Sequence, residues 1–270
     1  MYRQLSLFEL PYTEPAFQEP SATTATVIEL FAGAGGLALG LEKAGLGAKA
    51  LIEIDKDAVA TLRHNRPEWN VIHDDISKVS FEGMSADIVT GGFPCQPFSY
   101  AGKSLGFEDT RGTLFYEFAR CIKQVQPKLF LAENVKGLIN HQKGKTLKTV
   151  LSVLESLGYN IQYSLLNAVN YDVPQKRERV IIVGTRPGIR FQYPAPSPKI
   201  LTLRDALKDV PPSQGMKYSP KRAAVLAQVP PGGCWRDLPE EIQKSYMMKS
   251  YYLTGGRTGM ARRISWDEPS

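Results

Sequence analysis

The sequence predicts an α/β fold: a doubly wound, mostly parallel sheet followed by a smaller loop-rich region. Three observations carry this. From about Thr26 to Gly184, short apolar runs alternate with helix-length amphipathic stretches, the pattern of strand–helix–strand units. The first apolar run leads directly into a glycine-rich turn, Gly33-Ala34-Gly35-Gly36. Beyond Arg186 the texture changes, with Pro187, Pro194, Pro196, Pro198, Pro211 and Pro212 interrupting any regular element.

Residues 1–25 lack the pattern of a signal peptide, because Glu9, Glu14 and Glu19 follow Arg3 and Pro11, Pro15 and Pro20 break the apolar runs. They read as a solvated arm, with docking of Leu5, Leu7, Phe8 and Leu10 as the alternative. Strands are predicted at 27–31, 48–54, 70–72, 87–90 and 128–132, with helices at 37–44, from 56, at 114–125 and at 146–157. The last two strands, 161–166 and 180–184, have only a polar, Pro174-containing segment between them. An antiparallel pair at one edge of the sheet is therefore expected. One short helix is predicted at 203–207, and from 213 onward no periodic core is evident. The domains read as an arm at 1–25, an α/β domain at 26–210 and a partial, loop-rich region at 211–270.

The 270 residues fit one large domain plus part of a second. At 43% hydrophobic and 22% charged the chain can bury a core. No stretch approaches the roughly 20 apolar residues of a membrane helix. The net charge of +6, with a pI near 9.1, allows a polyanionic partner without requiring one. Cys95, Cys121 and Cys234 are too sparse for a disulfide framework, so a reducing, cytoplasmic setting is expected. His64, His73 and His141 pair with no cysteine at zinc spacing, and no metal is expected.

Gly33, Gly35 and Ala38 fit a turn that brings backbone close to a ligand as a strand reverses into a helix. Such turns are also common as plain structure. Glu53 strengthens the ligand reading, since it ends the second strand about 20 residues later, where a carboxylate can meet ribose hydroxyls. An adenosine-containing cofactor is expected, and the turn alone leaves NAD and S-adenosylmethionine open. Asp75 and Ile76 follow the third strand, suitably placed for an adenine edge and face, with Asp74 an equal candidate for the carboxylate.

The fourth strand runs into Gly91-Gly92-Phe93-Pro94-Cys95-Gln96-Pro97-Phe98-Ser99. Two glycines allow a sharp exit from the sheet, and Pro94 and Pro97 stiffen the loop that displays Cys95. A structural cysteine belongs inside an element, as Cys121 does on its predicted helix. NAD-linked oxidoreduction leaves this thiol unexplained. Glu133 emerges after the fifth strand at the same sheet edge, where a carboxyl beside a thiol can serve acid–base chemistry. A helix-start role is the plain alternative. Arg177 and Arg179 lie on one side of an extended segment and suit a phosphate or a base carbonyl, or simple solvation.

Together these segments resemble the cytosine-5 DNA methyltransferase family. The matching stretches are Phe31-Ala-Gly-x-Gly-Gly, Glu53-x-Asp55, Asp75-Ile76, Gly92-Phe-Pro-Cys95-Gln, Gly106-Phe-Glu-Asp-x-Arg-Gly-Thr-Leu114, Glu133-Asn-Val and Gln175-x-Arg-x-Arg179. They occur in the family's order over about 27–210. The resemblance implies a Rossmann-like methyltransferase sheet and methyl transfer from S-adenosylmethionine to carbon 5 of a cytosine flipped out of double-stranded DNA, as the modification enzyme of a restriction–modification system. Cys95 would attack carbon 6, Glu133 would hold nitrogen 3 and the exocyclic amine, Arg179 would meet the carbon 2 carbonyl, and Arg177 would brace a phosphate or the loop. Phe31, Gly33, Gly35, Glu53, Ile54, Asp75, Ile76, Pro94 and Leu114 would line the cofactor pocket. Position 54 is often aromatic in the family, so Ile54 implies weaker stacking on adenine. Ser99, Lys103 and Arg111 would belong to a loop that closes over DNA. Near the end, Arg257, Arg262 and Arg263 are candidate DNA contacts within a recognition region at 211–270.

Two later family motifs, Arg-x-Leu-(Thr)-Pro-Arg-Glu and Gly-Asn-(Ser/Ala)-Val, are absent from the chain. A second polypeptide supplying them, as in split members of the family, is the favoured expectation, with a truncated and inactive chain as the alternative. A tRNA cytosine-5 methyltransferase on the same scaffold is the other enzyme reading, and the residues after Cys95 disfavour it.

Overall fold

A computed structural model describes residues 25–94, 113–210, 215–252 and 261–270. The chain folds into two compact units, one comprising Met1–Leu166 and Glu178–Ala195, the other Asn167–Arg177 and Pro196–Ser270.

The first unit is built on a seven-stranded sheet in the order β3-β2-β1-β4-β5-β7-β6. Its strands are β1 (Thr26–Leu30), β2 (Gly47–Glu53), β3 (Val71–His73), β4 (Ile88–Gly91), β5 (Leu129–Val135), β6 (Asn160–Asn167) and β7 (Glu178–Thr185). The pairs β1–β2, β1–β4, β2–β3 and β4–β5 are parallel, and β5–β7 is antiparallel. The expected doubly wound sheet is present. The antiparallel strand that pairs with β5 is not the edge itself, because β6 lies outside β7. β5 also runs further than predicted. Antiparallel pairing continues to Val135 opposite Arg179, which draws Glu133 into the strand.

Helices cover both faces. On one, α1 (Gly36–Lys43) and α2 (Lys56–Asn65) bury Ala38, Val59 and Leu62 against Leu51 and Val71. On the other, α3 (Leu114–Val125) and α5 (Lys145–Ser156) close the main core with Phe118, Ile122, Val150 and Leu154. Each end of α3 has a local cause. The Thr113 hydroxyl accepts from the Tyr116 N–H at 3.1 Å, and Gln126 turns left-handed at the other end (φ 51°). Phe118 and Ile122 are fully buried, and each such side chain stabilises by roughly 1.5–3 kcal/mol. Cys121 is buried on the same helix, and burial pushes its thiol up, which leaves it inert. A short helix, α4 (Gly137–Asn140), follows β5.

The second unit contains α6 (Leu203–Ala206), α7 (Pro220–Ala227), α8 (Glu240–Met247) and α9 (Lys249–Tyr252). It has a small core of Val229, Trp235, Leu238 and Met247, built without the sequence period whose absence was noted from 213 onward. The helices there span about two turns or fewer, too short for a periodic signal, and loop residues supply half of the core. The boundary expected at 210 falls inside this unit, which begins at Pro196 and takes in the strap 167–177. The strap is tied within the unit by Ser197 N–H to Asn170 O at 2.7 Å and Ser270 N–H to Pro174 O at 2.9 Å.

Candidate active site

The parallel strands β1, β2, β4 and β5 end at one edge of the sheet, and the candidate site is assembled there. β1 leaves the sheet through three left-handed residues, Phe31 (φ 57°), Gly33 (φ 55°) and Gly35 (φ 88°). A Cβ on Gly35 would lie 2.6 Å from Leu62 Cδ2, so both conformation and packing demand glycine. A Cβ on Gly33 would meet nothing within 4 Å, so that side of the turn is open.

Glu53 latches the turn to β2. Its Oε2 accepts from Gly33 N–H at 2.7 Å, and Oε1 accepts from Ile54 and Asp55 N–H at 2.9 and 2.8 Å. Three backbone donors leave a carboxylate about one further acceptor site. Ile54 beside it is 63% exposed. An open turn, a carboxylate with residual acceptor capacity and an uncovered apolar side chain fit the ribose and adenine of an adenosine cofactor.

Asp75 caps a 3-10 turn through Ser77 N–H and hydroxyl at 2.9 and 2.8 Å, and these bonds hold its carboxyl below the usual range. Ile76 turns its side chain into the core, where it is 5% exposed. The adenine-face role expected of it has no exposed side chain to use. Phe31 and Leu114 are half-buried against the core, and Pro94 is exposed.

At β5, Glu133 and Arg179 meet. Arg179 sits diagonally from Glu133 across the antiparallel pair, since Glu133 faces Ile181 and Val135 faces Arg179. Arg179 Nε lies 2.6 Å from Glu133 Oε1. Its N–H is not aligned on the carboxylate, so the contact is one of charge rather than a directed hydrogen bond. Nη1 donates to Glu178 O at 2.8 Å. Arg177 is exposed and belongs to the second unit.

Two residues outside the expected set of site residues, Gly92 and Asn134, join the exits of β4 and β5. A Cβ on Gly92 would stand 3.1 Å from Glu133 Oε2, so the backbone of Gly92 lies against the carboxylate. Asn134, 3% exposed, donates from Nδ2 to Phe93 O at 2.8 Å and accepts from Val135 N–H. The chain just ahead of Cys95 is thus pinned to the strand that carries Glu133. The sequence signal for both lies within the quoted motifs. Glu29, an acid in an apolar strand, was also unassigned. It is 3% exposed, accepts from Ala38 N–H at the start of α1, and burial raises its pKa to about 8. α1 begins at a glycine with no capping side chain, and Glu29 supplies that acceptor from β1.

Cys95, Ser99, Lys103, Arg111 and Arg257 lie outside the described residues. Arg262 is exposed. Arg263 is exposed as well, with its Nη1 donating to Val229 O at 3.0 Å and its backbone N–H to Gly233 O at 2.9 Å.

A family model described as C-5 cytosine-specific DNA methylase matches residues 25–265. The chain belongs to the C-5 cytosine-specific DNA methylase family. Among curated members, it is 60% identical to the type II methyltransferase M.Eco47II of Escherichia coli, over 91% of this chain and 62% of that protein. It is 56% identical to M.PspPI of a Psychrobacter strain, over 98% and 67%, and 53% identical to M.Sau96I of Staphylococcus aureus, over 90% and 59%. The chain spans about three fifths of the length of these relatives. Nothing in these matches supports the expected second polypeptide. The Dnmt2 methyltransferase structure from S. pombe shares the fold of this chain, with a TM-score of 0.58 at 21% identity over 77% of this chain and 67% of that one. No helix among the described residues is long and apolar enough to cross a membrane.

Proposed function

We propose that this chain carries the catalytic machinery of a DNA (cytosine-5-)-methyltransferase of a restriction–modification system, acting with S-adenosylmethionine on cytosine in double-stranded DNA. The observation that carries the reading is the Glu133–Arg179 pair at the sheet edge, set against Gly92 at the head of the Cys95 loop in a chain of this family. Relatives named as type II methyltransferases support the restriction–modification setting.

Carbon 5 of cytosine is too weakly nucleophilic to react unaided. The Cys95 thiolate adds to carbon 6, forming the S–C6 bond and driving electron density onto carbon 5. Glu133 holds nitrogen 3 and the exocyclic amine, and Arg179 holds the carbon 2 carbonyl, so both groups meet charge that develops in the ring. S-adenosylmethionine, when bound, supplies the methyl group. Loss of the carbon 5 proton to a base returns its electron pair to the ring, which breaks the C6–S bond and releases Cys95. The base must leave the duplex, at a cost of a few kcal/mol.

The residues proposed to hold the cofactor are Phe31, Gly33, Gly35, Glu53, Ile54, Asp75, Pro94 and Leu114. Ile76 contributes backbone only, since its side chain is in the core. The test is loss of turnover in Cys95→Ala with cofactor and DNA binding retained. Methylation by that variant would remove Cys95 from the mechanism.

A further inference from the structure

The strand β3 is a slight support for the residues that follow it. It has three residues, lies at the edge of the sheet and pairs with β2 alone among the described strands. The 3-10 turn Ile76–Lys78 comes next, with Asp75 as its cap. Both bonds from Ser77 fall on Asp75 Oδ1, and no described residue donates to Oδ2. Ile76 and Val79 bury their side chains, which holds the turn down without fixing its orientation, since apolar burial is non-directional.

Arg120, midway along α3, supplies the directed contacts. Its Nη2 donates to Ile76 O at 2.8 Å and its Nη1 to Val79 O at 3.0 Å, so one guanidinium spans the turn. The fork is itself held. Nε donates to Glu117 Oε2 at 2.7 Å, three residues earlier on the same helix, and the guanidinium carbon lies 4.8 Å over the ring of Phe81, which is fully buried. The Arg120 and Glu117 side chains are 17% and 12% exposed, so salt screens their pairing little. A planar fork with fixed donors can hold two carbonyls at once, whereas a lysine ammonium on a flexible stem acts as a point charge. The same helix begins at Leu114, another residue of the proposed cofactor pocket.

We propose that Arg120 is a positioning residue for cofactor recognition, clamping the Asp75 turn to α3 so that Asp75 Oδ2 meets the exocyclic amine of adenine at a fixed place. The proposal rests on the S-adenosylmethionine reading above and deepens it, giving the adenine contact a support from a second element. Affinities of the full chain for S-adenosylhomocysteine and S-inosylhomocysteine, measured by calorimetry, test it. The second ligand carries a carbonyl where adenine has its amine, so the ratio of the two affinities reports how well Asp75 is placed. R120K keeps a charge beside Glu117, E117Q leaves the fork unbraced, and V125A trims a buried side chain of α3 that makes no clamp contact. The thermal midpoint checks folding in each. A turn that holds its binding geometry about a tenth of the time binds about tenfold more weakly. In R120K the preference for adenine is expected to fall about tenfold, with binding of the inosyl ligand little changed, and in E117Q to fall about threefold by the same reasoning. V125A is expected to lower the midpoint and keep the wild-type preference. An unchanged preference in R120K, or in E117Q should R120K not fold, overturns the proposal. An equal fall in V125A also overturns it, in favour of general loosening of α3. Wild-type protein that binds neither ligand overturns the cofactor reading itself, whereas wild-type discrimination that survives in both clamp variants overturns the clamp alone.

Discussion

Arg179 Nε stands 2.6 Å from Glu133 Oε1 across the diagonal of β5 and β7, an antiparallel pair at the end of a run of parallel strands. The reversal of β7 delivers a cation beside a carboxylate that the parallel strands carry to their common edge. Both groups are partly exposed, so the pair contributes little to stability and its worth lies in the site.

Glu133→Gln should therefore lower single-turnover methyl transfer by about 10²–10⁴-fold, the usual scale for a lost acid–base group. Its unfolding midpoint should stay near wild type. Transfer within a few-fold of wild type would show that Glu133 does not act on the ring.

Asn134→Ala removes the donor to Phe93 O and leaves that carbonyl without its side-chain partner, at about 1–3 kcal/mol. The loop carrying Cys95 should lose its anchor. We expect a fall in the rate of the chemical step with cofactor affinity unchanged. Gly92→Ala should act in the same direction, since its Cβ must displace the Glu133 carboxylate. Equal losses in rate and in cofactor affinity would point to general unfolding instead.

Glu29 gives a pH dependence of defined sign. Its pKa rises from 4.5 to about 8 on folding, so the native state holds its proton more tightly than the unfolded chain. The stability from this group is fully present below pH 4.5 and is lost as pH rises to about 8, a change on the order of a few kcal/mol. Glu29→Gln keeps an acceptor for Ala38 N–H and cannot ionise. Denaturant titrations at several pH values should show the wild type losing stability relative to this variant between those limits. Parallel curves would place the Glu29 carboxyl in an environment that does not shift it.

Asp87 works in the opposite direction. Lys128 Nζ at 2.8 Å, then the N–H and hydroxyl of Thr26, lower its pKa from 3.8 to about 2. Its stabilising contribution is present above pH 3.8 and is lost as pH falls through 2. With Lys128 well exposed, about 1 kcal/mol is expected after solvent screening. Asp87→Asn should remove that part of the acid limb. An acid transition unaltered in the variant would assign the limb to other carboxylates.

Much of the sheet was legible in the sequence because parallel strands buried on both faces leave short apolar runs, and α3 was read to the residue because it buries one continuous face. The turn at Gly33–Gly35 and the position of Glu53 were legible for a related reason, as backbone conformation restricts the residue choice there. What sequence did not disclose depends on cross-strand register or on packing. Ile76 lies beside a motif carboxylate, yet its side chain serves the core. The bond from Arg263 Nη1 to the Val229 carbonyl likewise joins residues far apart in sequence and has no sequence signal. The helices α7 and α8 are too short to show a period, Val229 and Leu238 join them from loops, and Trp235 joins from a 3-10 turn.

The central claim is that this chain methylates carbon 5 of cytosine through Cys95. The direct measurement is to incubate the purified chain with mixed-sequence duplex DNA and S-adenosylmethionine labelled in its methyl group, then to identify the labelled nucleoside. The account predicts label in 5-methylcytosine for wild type and none for Cys95→Ala. Label on an exocyclic amine or in adenine, label undiminished in Cys95→Ala, or no label from a folded chain that binds both partners would contradict it.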